Sequence, residues 1–208
     1  MKIISHRGYW KSEEEKNTAL AFHRSFKLGF GTETDVRDHN GKLVISHDIP
    51  DEKAMLFSDF LDILSDYNSL DIALNIKSDG LSNEIEKSLS SANLNHKFFV
   101  FDMSIPDMKS YFNTNGIEVY SRMSEVERKP VWNDLCHGIW LDSFGNEWYE
   151  MSDIVQVLSL GKKVCVVSSE LHKRSYKKQW ELLLEFKENK NLILCTDIPE
   201  TAKNYFRK

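Results

Sequence analysis

Apolar runs of strand length recur along the chain and alternate with stretches of helical period. The strand candidates are residues Lys2–Ser5, Gly31–Val36, Ile72–Ile76, Phe98–Phe101, Ile117–Tyr120, Gly138–Leu141, Lys163–Val167 and Asn191–Cys195. Two of them, Phe98-Phe99-Val100-Phe101 and Val164-Cys165-Val166-Val167, are apolar throughout, as strands covered on both faces are. Between the strands, apolar residues share helical stripes: Ala19, Phe22 and Phe26 behind a cap at Asn17, then Leu81, Ile85 and Leu89. Met108, Tyr111 and Phe112 follow Ser104-Ile-Pro-Asp107, which resembles a capping box with proline in the first turn. Met151, Ile154, Val157 and Leu158 form another stripe, as do Trp180, Leu183 and Leu184, and Pro199 opens a last one. Asn40-Gly41 predicts a hairpin whose return arm, Lys42–Ser46, folds back on the second strand.

Eight strands alternating with helices predict a (β/α)8 TIM barrel of the α/β class, with an open doubly wound sheet as the competing arrangement. The 208 residues suit one domain, 1–208, with no linker, repeat or low-complexity stretch.

Composition narrows the function. With 41% hydrophobic and 28% charged residues the chain has an ordinary globular balance. A net charge of −5 and scattered lysines argue against a nucleic-acid partner. No apolar run approaches the roughly 20 residues of a membrane span. His6 and Arg7 interrupt the first apolar run, which leaves no secretory core, so a cytoplasmic location is expected. Cys136, Cys165 and Cys195 are widely spaced and predict buried thiols rather than disulfides or metal ligands. Oligomeric state is not legible.

Chemistry gathers where the strands end. In a (β/α)8 barrel the C-terminal strand ends carry the active site. Read in order, those ends present His6 and Arg7, Glu33 and Asp35, Asn75 and Lys77, Asp102, Arg122, Asp142, Glu170 with His172, and Asp197. Side chains two apart on a strand share a face, so Glu33 and Asp35 can grip one cation. Two imidazoles, His6 and His47, can move protons, and Arg7 and Lys77 can meet a phosphate. Taken one at a time, each of these residues is more often a solvated strand end or a helix cap; their convergence on one rim carries the reading.

His6-Arg7-Gly8, Asn17-Thr18 with Ala21-Phe22, Glu33-Thr34-Asp35-Val36, Gly41 and His47-Asp48 resemble the signature of glycerophosphodiester phosphodiesterases. These belong to the superfamily of barrels similar to phosphatidylinositol phospholipase C. Asn75-Ile-Lys77, Phe101-Asp102 and Thr196-Asp197-Ile-Pro199 extend the resemblance over nearly the whole chain. It implies that His6 and His47 are the acid/base pair. It also implies that Glu33 and Asp35 bind Mg²⁺ or Ca²⁺ and that Arg7 and Lys77 contact phosphate. Asn75 stands where the family carries a glutamate ligand: either it is a neutral third ligand here, or Asp102, Asp142 or Glu170 supplies the missing charge. Lys16 stands where the family carries glutamate, and only 23 residues separate Asp48 from Ile72, where the family inserts a subdomain.

The expectation is a metal-dependent phosphodiesterase, a phosphoric diester hydrolase. Its substrate would be a small soluble diester bearing glycerol or a sugar, with Asp142, Glu170 and His172 at the substrate rim. A non-catalytic phosphate- and polyol-binding barrel and a phospholipid-cleaving lyase are the alternatives.

Overall fold

The computed structural model describes residues 1–207; Lys208, the last residue of the expected domain, lies outside them. Parallel strands follow the order β1 (Lys2–His6), β10 (Leu192–Thr196), β9 (Lys163–Val167), β8 (Gly138–Leu141), β7 (Ile117–Met123), β6 (Lys97–Phe101), β5 (Asp71–Ile76) and β2 (Gly31–His39). A pairing of β1 with β2 closes the eight, giving the expected (β/α)8 barrel and excluding the open sheet. All eight predicted strands are present, each within a few residues of its predicted bounds. The hairpin arm β3 (Lys42–Ile45) runs antiparallel to β2, pairing Val36 with Ile45, and a two-residue strand β4 (Met55–Leu56) extends it.

The contacts divide the chain into two compact units, His6–Val119 and Met1–Ser5 with Tyr120–Lys208. In the first, β2 and β5 stand in register, Asp35 opposite Asn75, and this lines up the polar residues of two neighbouring strands. Helix α1 (Ala19–Lys27) buries Phe22 and Phe26 against Phe60, the Phe22 and Phe60 rings meeting edge-on at 4.8 Å. Burying each such ring contributes about 1.5–3 kcal/mol. Phe60 belongs to α2 (Phe57–Ser65), a helix the sequence reading omitted. Its buried stripe, Phe57, Phe60, Leu61 and Leu64, has the i, i+3, i+4, i+7 spacing of one helix face.

The second unit packs α3 (Met151–Ser159), α4 (Lys177–Leu183) and α5 (Pro199–Phe206) around a core of Ile139, Val164, Val166, Leu192, Leu194 and Trp180. Trp180 is wholly buried, and its indole N–H donates to Ser168 Oγ at 2.8 Å, so the largest core side chain leaves no polar atom unsatisfied. Cys136, Cys165 and Cys195 are buried and form no disulfide, as expected.

Asn17 does not cap α1. The cap is Thr18, whose hydroxyl accepts from the Ala21 amide, whereas Asn17 adopts a left-handed φ of 58°. Its side chain is thereby released from the helix and directed at β2, with consequences for the site.

Candidate active site

The turn after β1 fixes the first cluster. Arg7 and Gly8 both take left-handed backbone conformations, with φ of 57° and 81°. Gly8 is required there, because a Cβ would stand 2.6 Å from the Ala21 Cβ. The turn is held from several directions. The Arg7 amide donates to Glu33 O, the Gly8 amide to Thr32 Oγ1, and the Asn17 amide to Arg7 O, each at 2.9 Å. A non-glycine residue at positive φ stores strain that its surroundings must over-determine, and three bonds on two consecutive residues do so.

This turn sets the Arg7 guanidinium against β2. Arg7 Nε lies 2.9 Å from Asp35 Oδ2, and Lys77 Nζ lies 3.5 Å from Asp35 Oδ1. The Asn17 amide nitrogen adds a hydrogen bond to Asp35 Oδ2 at 2.9 Å, and its oxygen accepts from Thr34 Oγ1 at the same distance. Asn75 Nδ2 donates to Glu33 Oε1 at 3.3 Å, and His6 Nε2 stands 3.9 Å from Glu33 Oε2. His6, Arg7, Glu33, Asp35, Asn75 and Lys77 therefore form one continuous cluster.

Glu33 and Asp35 are essentially without solvent exposure, at 1% and 0%. Burial, and next the neighbouring Asp35, push the Glu33 carboxyl up to about 7; His6, Arg7 and Lys77 pull it back down. Three buried oxygens in the cluster have no hydrogen-bond donor: Glu33 Oε2, Asp35 Oδ1 and Asn75 Oδ1. Withdrawing an ionised carboxylate from water without full compensation costs several kcal/mol. Three oxygens without a hydrogen-bond donor, on two neighbouring strands and one of them 3.5 Å from the Lys77 ammonium, fit a hard cation such as Mg²⁺ or Ca²⁺, which takes carboxylate and amide oxygens alike. Among the described residues no group of three or more His, Cys, Asp or Glu side chains could hold a metal, so such a cradle depends on the Asn75 amide oxygen.

His47 follows the hairpin arm β3. It is 43% exposed, and its Nδ1 lies 3.0 Å from the Asp48 carboxylate. When Nδ1 carries the proton toward Asp48, Nε2 is left as the basic nitrogen. His47 and Arg7 line the same cavity, of about 490 Å³. The sequence reading gave Arg37 no role. Its guanidinium donates to the backbone carbonyls of both His47, at 3.3 Å, and Lys77, at 3.2 Å. Arg37 is the next residue beyond Asp35 on the same strand face, and that spacing was the available signal. Asn17, read as a cap, is likewise a member of the site.

The three rim candidates lie in the second unit. His172 Nε2 meets Asp142 Oδ1 at 2.7 Å, and the same oxygen accepts from the Ser143 amide at 2.7 Å. The Phe144 ring sits edge-on to the His172 ring at 5.7 Å. Glu170 is tied to strand ends: Ser168 Oγ donates to one carboxyl oxygen, while Thr196 Oγ1 and the Asp197 amide donate to the other. Burial raises the Glu170 carboxyl above its ordinary range. Asp142 and His172 thus form a pair, and Glu170 forms a separate brace between β9 and β10.

No protein-family model matches the chain, and no curated protein matches it. Solved structures do. A glycerophosphodiester phosphodiesterase from Parabacteroides distasonis superposes with a TM-score of 0.72 at 16% identity, covering 99% of this chain and 96% of its own. A glycerophosphodiester phosphodiesterase from Agrobacterium tumefaciens gives a TM-score of 0.64 at 14% identity, with 100% of both chains covered. A tryptophan synthase α-subunit from Pyrococcus furiosus gives 0.56 at 14% identity over 99% of this chain and 93% of its own. At such identities the likeness is one of fold. The resemblance carried by the sequence motifs is matched by whole-chain similarity to glycerophosphodiester phosphodiesterase structures.

Proposed function

We propose that this chain is a metal-assisted phosphodiesterase of the glycerophosphodiester phosphodiesterase kind, cleaving a small soluble diester of glycerol or a sugar. The observation that carries the reading is the cradle itself. Three buried oxygens without donors, on Glu33, Asp35 and Asn75, stand beside two fixed cations and an imidazole. The similarity in fold to glycerophosphodiester phosphodiesterase structures supports the same class.

In this reading Glu33, Asp35 and Asn75 hold a divalent cation, which supplies Lewis-acid stabilisation of negative charge on phosphate oxygens. Arg7 and Lys77, already placed by Asp35, add positive charge to the same oxygens as it builds in the transition state. His6 and His47 divide the proton work. One accepts the proton of an attacking hydroxyl, and the other donates a proton to the departing alkoxide. Where the attacking hydroxyl is the substrate's own, next to the phosphate, the products are a cyclic phosphate and a free alcohol. Water then opens the ring to a monoester. The Asp142–His172 pair has the donor and acceptor chemistry to read polyol hydroxyls.

The test is a panel of glycerophosphodiesters and sugar–glycerol phosphodiesters, followed by ³¹P NMR with Mg²⁺, Mn²⁺ or Ca²⁺. The expected result is conversion to a monoester or cyclic phosphate with at least one soluble diester. Cleavage of phosphatidyl lipids in vesicles, with none of any soluble diester, would overturn the substrate class. Binding of diesters without turnover under any metal would overturn the enzyme reading.

A further inference from the structure

The cavity of about 490 Å³ that Arg7 shares with His47 has an uneven distribution of charge. Its lining includes three cations, Arg7, Lys16 and Lys53, and two carboxylates, Glu13 and Asp48. The fixed cations are the inner groups: the side chains of Arg7 and Lys16 are only 18% and 21% exposed. The carboxylates are in water, with Glu13 72% and Asp48 92% exposed. Lys16 is held in place by the Trp10 ring, 4.4 Å beneath its ammonium. Its ion pair with Glu13, at 2.5 Å, joins it to a solvated partner, and surface pairs of that kind contribute little and yield readily to a competing anion. Arg7 and Lys16 thus stand on the inner part of the wall, while Lys53, like the two carboxylates, is exposed at its solvent edge. A neutral polyol has no use for this arrangement. An anion entering the cavity beyond Arg7, which is already paired with Asp35, meets the half-buried Lys16 and the exposed Lys53.

Arg7 also belongs to the carboxylate cluster, through Asp35, so the cavity shares Arg7 with the place proposed for the phosphate. A diester bound at Arg7 would direct one of its alcohol substituents into the cavity. We propose that this substituent carries a second anionic group, a carboxylate or a phosphate monoester, and that Lys16 and Lys53 hold it. The enzyme then prefers diesters that are anionic twice over to those whose alcohols are neutral. This inference rests on the phosphodiesterase reading and specifies the substrate class of that site.

The experiment compares three diesters that share a glycerol phosphate half and differ in the other half: glycerol, glyceric acid, or glycerol phosphate. Wild-type protein is expected to show a kcat/KM about tenfold or more higher for the two anionic members at low salt, through a lower KM. The advantage should shrink as ionic strength rises. Lys16→Gln and Lys53→Gln should each lower the anionic-to-neutral ratio of kcat/KM about three- to tenfold. Preference for only one of the two anionic members would identify which group is recognised and still support the inference. Equal handling of neutral and anionic diesters, with a ratio unmoved by either substitution, would overturn it while leaving the phosphodiesterase reading intact. Failure to cleave any of the three, with any divalent metal, would instead remove the reading on which it rests. Thermal melts of both variants separate loss of recognition from loss of folding.

Discussion

Asn75 donates through Nδ2 to Glu33 Oε1 at 3.3 Å, and this bond fixes which way the amide faces. Its oxygen is left buried, without a donor, in the company of Glu33 Oε2 and Asp35 Oδ1. A neutral residue at this position limits the negative charge buried in the cluster to two carboxylates. Without a cation, a third would have to be balanced by Arg7 and Lys77 alone.

Replacing Asn75 by Asp makes that balance measurable. Asn75→Asp removes the amide donor and adds an anion, so the metal-free protein should lose about 2–4 kcal/mol of stability. Divalent cation should bind about tenfold tighter or better, because each added anionic oxygen strengthens a hard-cation site. Urea melts with and without Mg²⁺ or Ca²⁺, together with isothermal titration, read both effects. Unchanged metal affinity would place the cation elsewhere.

Arg37 ties the His47 backbone to the Lys77 backbone, which makes it a positioning residue. Arg37→Met should lower kcat/KM about 10–100-fold, since small misplacements of reacting groups have effects of that size. Arg37→Lys should recover part of it. A purely structural role would lower the melting temperature of both variants without altering the pH profile of the folded fraction. Relaxing His47 should alter that profile.

His6→Ala and His47→Ala should each reduce turnover about 10²–10⁴-fold, the ordinary scale for losing a general acid or base. His47 is 43% exposed, and its partner Asp48 is 92% exposed, so His47→Ala should change stability by no more than about 0.5 kcal/mol. Steady-state kinetics across pH should show one limb of the profile flattened in each variant. Near-normal turnover in either would remove that histidine from the proton-transfer pair.

Glu170 predicts a pH dependence of stability. Its carboxyl is raised in the folded state by burial. A carboxyl that binds its proton more tightly when folded contributes stability fully below its unfolded value, near about 4.3, and loses it as pH rises through the raised folded value. Glu170→Gln cannot ionise and should flatten that decline. Urea midpoints from pH 4 upward would show it; parallel wild-type and variant curves would contradict it.

The strands and the chemistry at their ends were legible because both obey local rules. A strand's apolar run marks its length, and a two-residue period places Glu33 and Asp35 on one face. Register then places Asn75 opposite Asp35 on the neighbouring strand. What escaped depended on backbone conformation or on partners distant in sequence. Asn17 has the composition of a helix cap, but its left-handed φ gives the cap to Thr18 and sends the amide to Asp35. Helix α2 carries a clear stripe, yet it is a short helix confined to the brief connection between Asp48 and β5. The cavity wall of Lys16 and Lys53 has no sequence period at all, because two loops assemble it.

The central claim is that the Glu33–Asp35–Asn75 cradle holds a divalent cation required to cleave a soluble phosphodiester. The most direct measurement is ³¹P NMR of diester cleavage by chelator-treated protein, before and after metal is returned, for wild type and for Asp35→Asn. Wild type should be silent after chelation and recover fully with Mg²⁺ or Ca²⁺, while Asp35→Asn stays about 10²-fold or more slower at any metal concentration short of millimolar excess. Undiminished cleavage by chelated wild type, or metal-restored activity equal in the two proteins, would contradict the account.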